Sequence, residues 1–152
     1  MGYCTRDDII KLLPEDVLIQ LVDDEFLKPE TIDAVDSTHE PMRQRIAKAV
    51  ETADAEIDGY CAERYAVPFA APVPSVIKGL SVEIAIYYLY ARRTVPDDIE
   101  KRYDKAVARL KDIAKGLMSI PAAAAPEAGL TSNNAYAASE PRIFTRRKMK
   151  GF

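Results

Sequence analysis

The stretch from Ser75 to Arg93 constrains the fold of this chain more than any other. Val76, Ile77, Leu80, Val82, Ile84, Ala85, Ile86, Tyr87, Leu89 and Tyr90 fill it and leave almost no polar side. Its length and pattern read as a helix, and a helix that is apolar around its circumference must be buried around its circumference. In a domain of this size it is either a central helix or one whose outer face another subunit covers. Its longest purely apolar run, Ile84 to Ala91, falls far short of the ~20 residues that cross a bilayer. No membrane association is expected.

The segments on either side supply the cover. From Pro41, Met42, Ile46, Val50, Ala53, Ile57, Tyr60 and Cys61 recur every three or four residues and define one apolar stripe, which predicts a helix over 41–64. Arg43, Lys48, Glu51 and Asp54 lie off that stripe. Pro68, Pro72 and Pro74 then remove backbone donors and push the residues before them toward extended conformations, so a stiff connector joins the two helices. A third long helix is predicted over 96–117, opened by Pro96 with Asp97 and Asp98 at its positive end and stopped by Gly116. Its stripe is Ile99, Tyr103, Val107, Leu110, Ile113 and Leu117.

Upstream, Thr5 caps a short helix that carries Asp7 and Asp8 in its first turn, and Pro14, Glu15 and Asp16 open a second. Between Asp23 and Glu40 the chain is acidic and broken, with at most one helical turn near Thr31 to Val35. No apolar–polar alternation runs long enough for a sheet. The expected fold is all-α: a small bundle of three longer helices plus short N-terminal helices, with an extended C-terminal arm.

The arm emerges from the charge distribution. The net charge of -3 over 152 residues divides into 16 Lys+Arg against 22 Asp+Glu over residues 1–118 and 5 against 2 over residues 119–152. Pro121, the alanines Ala122 to Ala125, Pro126 and the polar run Thr131 to Asn134 mark the change in composition. The reading is an acidic helical domain over 1–118 and a flexible basic arm over 119–152. A chain of this length buries roughly 68–70% of its unfolded surface and needs no metal or disulfide to fold. The N-terminal residues show neither the basic nor the apolar region of a signal peptide, so a protein that is not exported by that route is expected.

Catalytic constellations are scarce. His39 is the sole histidine and stands beside Glu40 with no second ligand in spacing. The cluster Asp23, Asp24 and Glu25 lacks the spaced oxygens and turn glycine of a calcium loop, and reads as solvated. The six glycines, Gly2, Gly59, Gly79, Gly116, Gly129 and Gly151, are isolated, which excludes a P-loop. Cys4 reads as a small N-terminal residue and Cys61 as a core thiol, rather than as nucleophiles, and neither stands in metal-ligand spacing. No catalytic, cofactor-binding or metal-binding residue is assigned, and a non-enzymatic protein is expected.

Interface candidates remain. Tyr87 and Tyr90 share a helix face, whereas Tyr88 turns about 100° away; core packing is favoured for Tyr87, while core and interface stay open for Tyr88. In the arm, Ile143, Thr145 and Arg147 alternate with Phe144, Arg146 and Lys148. Its basic charge suits phosphate or an acidic protein surface, and apolar residues among the cations favour docking on another protein over mere solubilisation. The candidate interface residues are Tyr88, Arg142, Ile143, Phe144, Arg146, Arg147, Met149 and Phe152.

Several runs are similar to a known family: Ile57-Asp58-Gly59-Tyr60, Arg64-Tyr65-Ala66-Val67-Pro68-Phe69, Pro72 and Pro74, and Glu83-Ile84-Ala85 with Tyr87, Leu89 and Tyr90. Ile99-Glu100-Lys101-Arg102-Tyr103-Asp104, Leu110 to Gly116, Phe144-Thr145-Arg146, Met149 and Gly151-Phe152 continue the series, and Tyr3, Thr5 and Asp8-Ile9-Ile10 fit at the start. Together they resemble a Mu-like prophage family known as a domain of unknown function. The resemblance implies a head–tail connector, also called an adaptor or head completion protein. Such subunits form a homo-oligomeric ring, typically dodecameric, between the portal protein and a tail or tail-completion protein. DNA would only pass through the channel, with no membrane or small-molecule partner. The implied location is the virion head–tail junction, and the host cytoplasm during assembly.

An alternative from the residues alone is a nucleic-acid-binding module using Arg142, Arg146, Arg147, Lys148 and Lys150. The acidic domain opposes it by repelling phosphate everywhere except at the arm. An enzyme built on a carboxylate pair has only the abundance of Asp and Glu behind it.

Overall fold

A computed structural model of the chain describes residues 2–24, 26, 29, 30, 33, 35 and 39–122. Five helices are bounded among them: α1 (Arg6–Ile10), α2 (Glu15–Val22), α3 (Glu40–Cys61), α4 (Ser75–Leu89) and α5 (Asp97–Lys115). The described residues hold no strand, and the fold is all-α.

α4 is the central helix. It packs most extensively on α3, then on α5, and meets α1 on another side. Its buried residues are Ile77, Leu80, Ser81, Val82, Ile84, Ala85 and Ile86, which at 100° per residue cover about 240° of its circumference. The remaining sector holds Val76, Gly79 and Glu83, with Tyr87 and Tyr90 half-buried. Burial thus falls short of complete in this sector, which α5 meets through Arg102 on Glu83 and Tyr103 on Tyr87 while Val76 and Gly79 stay exposed.

The flanking helices are amphipathic as their spacing predicts. α3 buries Met42, Ile46, Ala49, Val50, Ala53, Ile57 and Cys61, and α5 buries Ile99, Ala106, Leu110 and Ile113. α5 stops at Gly116, whose φ of 78° is left-handed; Leu117 then donates back to the Asp112 carbonyl at 2.9 Å, a Schellman-type closure. At α1, Thr5 accepts from the Asp8 N–H while the Asp8 side chain accepts from the Thr5 N–H, a complete capping box.

Two helices end earlier than their apolar patterns suggest. α3 ends at Cys61 rather than Arg64, since Arg64 and Tyr65 both donate to the Cys61 carbonyl and close a turn. α4 ends at Leu89 rather than Arg93: Tyr90, Ala91 and Arg93 form successive turns. Arg92 there reaches the Asp24 carboxylate and Arg93 the Gln20 carbonyl. Between α3 and α4, the Val67–Pro68 and Ala71–Pro72 peptide bonds are cis, and Phe69 of this connector is buried. Beyond α5, the chain returns to the body: Ile120 is buried and its N–H donates to the Tyr65 hydroxyl at 3.1 Å. Of the segment between Asp23 and Glu40, Asp33 and Val35 are helical and Val35 is fully buried.

Candidate functional site

The charged and phenolic side chains of the body gather into four clusters. The first joins the N-terminal segment to α3. Asp54 and Asp58, one helical turn apart on α3, both bind Tyr3: the Tyr3 N–H donates to Asp54 Oδ2 at 2.9 Å, and the Tyr3 hydroxyl donates to Asp58. The second Asp54 oxygen accepts from Ser81 Oγ of α4 at 2.7 Å. The Phe69 N–H in turn donates to the Tyr3 hydroxyl at 2.9 Å. Burial raises the Asp54 carboxyl above its ordinary range, although the Ser81 and Tyr3 hydrogen bonds act in the opposite direction. Burial and the hydrogen bond to Asp58 push the Tyr3 phenol far up.

The second cluster is centred on Asp8, which is 7% exposed. Its carboxylate pairs with Lys78 of α4 at 2.8 Å and Lys11 at 2.9 Å, besides the cap contact with Thr5. Burial alone would raise this carboxyl, but the hydrogen bonds from Lys78, Thr5 and Lys11 outweigh it and hold the group far below its ordinary range. In the third, Glu56 of α3 accepts from Tyr88 at 3.0 Å and from Tyr103 at 3.1 Å. In the fourth, Asp24 pairs with Arg45 at 2.8 Å and accepts from Arg92.

These clusters show what became of the candidate residues. Tyr88 is half-buried with its hydroxyl on Glu56. Asp24 is occupied by two arginines, Asp23 is buried, and Glu25 lies outside the described residues. Arg142, Ile143, Phe144, Arg146, Arg147, Met149 and Phe152 all lie outside the described residues. Cys4 and Cys61 are buried, and burial raises each thiol to about 11. Among the described residues, no three His, Cys, Asp or Glu side chains converge to hold a metal ion, and no helix is long and apolar enough to cross a membrane.

A groove of about 680 Å³ runs between the N-terminal segment and the outer side of α3. Ile46, Ala47, Val50, Ala55, Tyr3 and Pro68 line it with apolar surface, and Glu51, Asp54 and Asp58 give it an acidic side. Sequence reading leaves Asp54 merely off the apolar stripe. Its four-residue spacing from Asp58 is the one local signal that both lie on the same edge of α3.

The described residues define a small all-α body in which polar side chains tie helices and chain segments to one another. The chain belongs to the family described as bacteriophage Mu, Gp36, whose model matches residues 3–139, and is thus a Mu-type phage protein. No curated protein matches the chain.

Proposed function

We propose that this protein is a structural subunit of the phage head–tail connector, forming a homo-oligomeric ring between the portal protein and a tail or tail-completion protein, and that it catalyses no reaction. The observation that supports this most is the family match across residues 3–139, which covers the helical body and so applies to the domain rather than to a motif. The geometry is consistent with it. The Asp54, Asp8, Glu56 and Asp24 clusters all spend their polar groups on helix-to-helix ties, the use expected where rigidity is the function.

The outer surface of α5 is available to a partner. Lys101, Lys105 and Arg109 follow each other at four-residue spacing and make no ion pair among the described residues. Like charges so spaced cost a few tenths of a kcal/mol per pair in a lone helix, a cost that an acidic neighbour removes. The location that follows is the virion head–tail junction, reached from the host cytoplasm during assembly.

The test is electron microscopy and light scattering of the purified chain, alone and mixed with the portal protein. Closed rings on the portal, of uniform subunit number, are expected. A chain that stays monomeric in both samples and does not bind the portal overturns the reading. A DNA mobility shift that disappears on deleting residues 142–152 would favour the nucleic-acid-binding module instead.

A further inference from the structure

We propose that the groove between the N-terminal segment and α3 is the receiving site for residues 142–152 of a second copy of this chain, so that each subunit donates an arm and accepts one. This rests on the ring reading above and names the surface through which neighbours are joined.

Three observations select that occupant. The first is chemical complementarity. The groove offers apolar Ile46, Ala47, Val50 and Ala55 beside Glu51, Asp54 and Asp58. Asp54 and Asp58 accept hydrogen bonds from Tyr3 and Ser81 but form no ion pair with a lysine or arginine among the described residues, whereas Glu51 is paired with Lys48 and the two arginines lining the groove are engaged, Arg6 with Asp7 and Asp33 and Arg43 with Glu40. Residues 142–152 alternate Ile143, Phe144, Met149 and Phe152 with Arg142, Arg146, Arg147, Lys148 and Lys150. Apolar anchors flanked by cations fit an apolar trough with an acidic wall, and the same wall repels a nucleic-acid phosphate.

The second is size. At about 680 Å³ the groove has room for a few apolar side chains of the segment rather than for all of it. Ala47 and Ala55 are exposed along it, so the helix backbone itself is approachable there.

The third is chain length. The described body ends at Pro121 and Ala122, which lie in a niche with Pro68, Pro72 and Pro74, and Pro68 also borders the groove. The 19 residues 123–141 span at most about 65 Å at ~3.4 Å each. A body of roughly 120 residues has a radius of gyration near ~14 Å, which puts neighbouring centres on the order of 30 Å apart and a neighbour's groove well within reach. An arm and a groove on one chain are different patches, so their pairing is heterologous and closes into a ring when the rotation permits.

The experiment uses the full chain with a photoreactive p-benzoylphenylalanine in place of Phe144. Unlabelled and ¹⁵N-labelled copies are mixed in equal amounts, irradiated and digested for mass spectrometry, with the mass of the particles read by light scattering on the same sample. Cross-links from position 144 to the α3 segment 46–58 are expected, about half of them joining light to heavy peptide as random mixing of neighbours requires. Ala55→Arg, at an exposed position, fills the groove and opposes the arm's charge; it lowers that cross-link about tenfold or more while the melting temperature stays unchanged. Cross-links confined within one copy, or directed elsewhere than the groove, overturn the exchange of arms. Rings without groove cross-links overturn the docking and leave the ring reading standing, whereas particles of monomer mass overturn the exchange of arms between free copies and leave the ring reading to the portal test above.

Discussion

Tyr87 of α4 and Tyr103 of α5 stack face to face, with ring centroids 3.9 Å apart and planes 14° from parallel. Tyr88 meets both rings edge-on, and Glu56 of α3 ties the Tyr88 and Tyr103 hydroxyls together. One carboxylate and three rings therefore hold the three long helices in register on the side of the bundle away from the N-terminal segment.

Burial first, and the hydrogen bond to Glu56 second, raise the Tyr88 and Tyr103 phenols above the ordinary range. A phenol whose native value is raised contributes stability below its unfolded value near ~10, and that contribution is lost as pH rises through the native value. Glu56→Gln is expected to move the late part of the tyrosinate absorbance titration downward. Tyr103→Phe should remove one late-titrating phenol, preserve the stack and cost about 1 kcal/mol in denaturant unfolding.

Asp8 has the opposite sign. Its carboxyl is held below the ordinary value, so its stabilising contribution is complete above about pH 4 and is lost as pH falls toward the native value. Asp8→Asn should lower the melting temperature at pH 7 and flatten the decline of stability between about pH 4 and 2. An acid limb as steep in the variant as in the parent would refute the assignment. Asp54, raised by burial, works against this trend, so Asp54→Asn should not flatten the same limb.

At Gly116, the left-handed φ of 78° costs an L-residue roughly 1–2 kcal/mol, and a Cβ there would also run into the Arg64 guanidinium. Gly116→Ala is expected to destabilise the chain by about that amount in denaturant unfolding. Adding Arg64→Ala should recover only the steric share, leaving most of the loss in the backbone.

Cys4 and Cys61 are 4% and 0% exposed, and burial raises both thiols to about 11. Neither should react with a disulfide reagent in the native protein at pH 8. Both should react on unfolding, in two equivalents. Rapid native labelling of either would show that the N-terminal segment or the end of α3 opens readily.

The long helices and their start and stop signals were legible because these are local: Thr5 with Asp8, Pro14, Pro96 and Gly116 act within a turn of themselves. Composition around the circumference of α4 narrowed it to a central helix or one covered by another subunit, and the packing of α3, α5 and α1 on it decides for the centre. The candidate groove was not legible, since it is made by ties between residues far apart in sequence: Tyr3 with Asp54 and Asp58, Ser81 with Asp54, Tyr3 with Phe69. Periodicity places Asp54 at the edge of a stripe but does not say which segment lies against that edge. Likewise nothing local distinguishes Arg92 and Arg93 from helix continuation. They are drawn away by Asp24 and Gln20, about 70 residues earlier.

The return of the chain after α5 has a mechanical consequence. Ile120 is seated in the core beside Tyr65, immediately before the residues that lead to the terminus. A pull on the chain beyond Ile120 would meet that seat before α5, as the clamp where a cable enters its housing takes a tug before the wiring inside does.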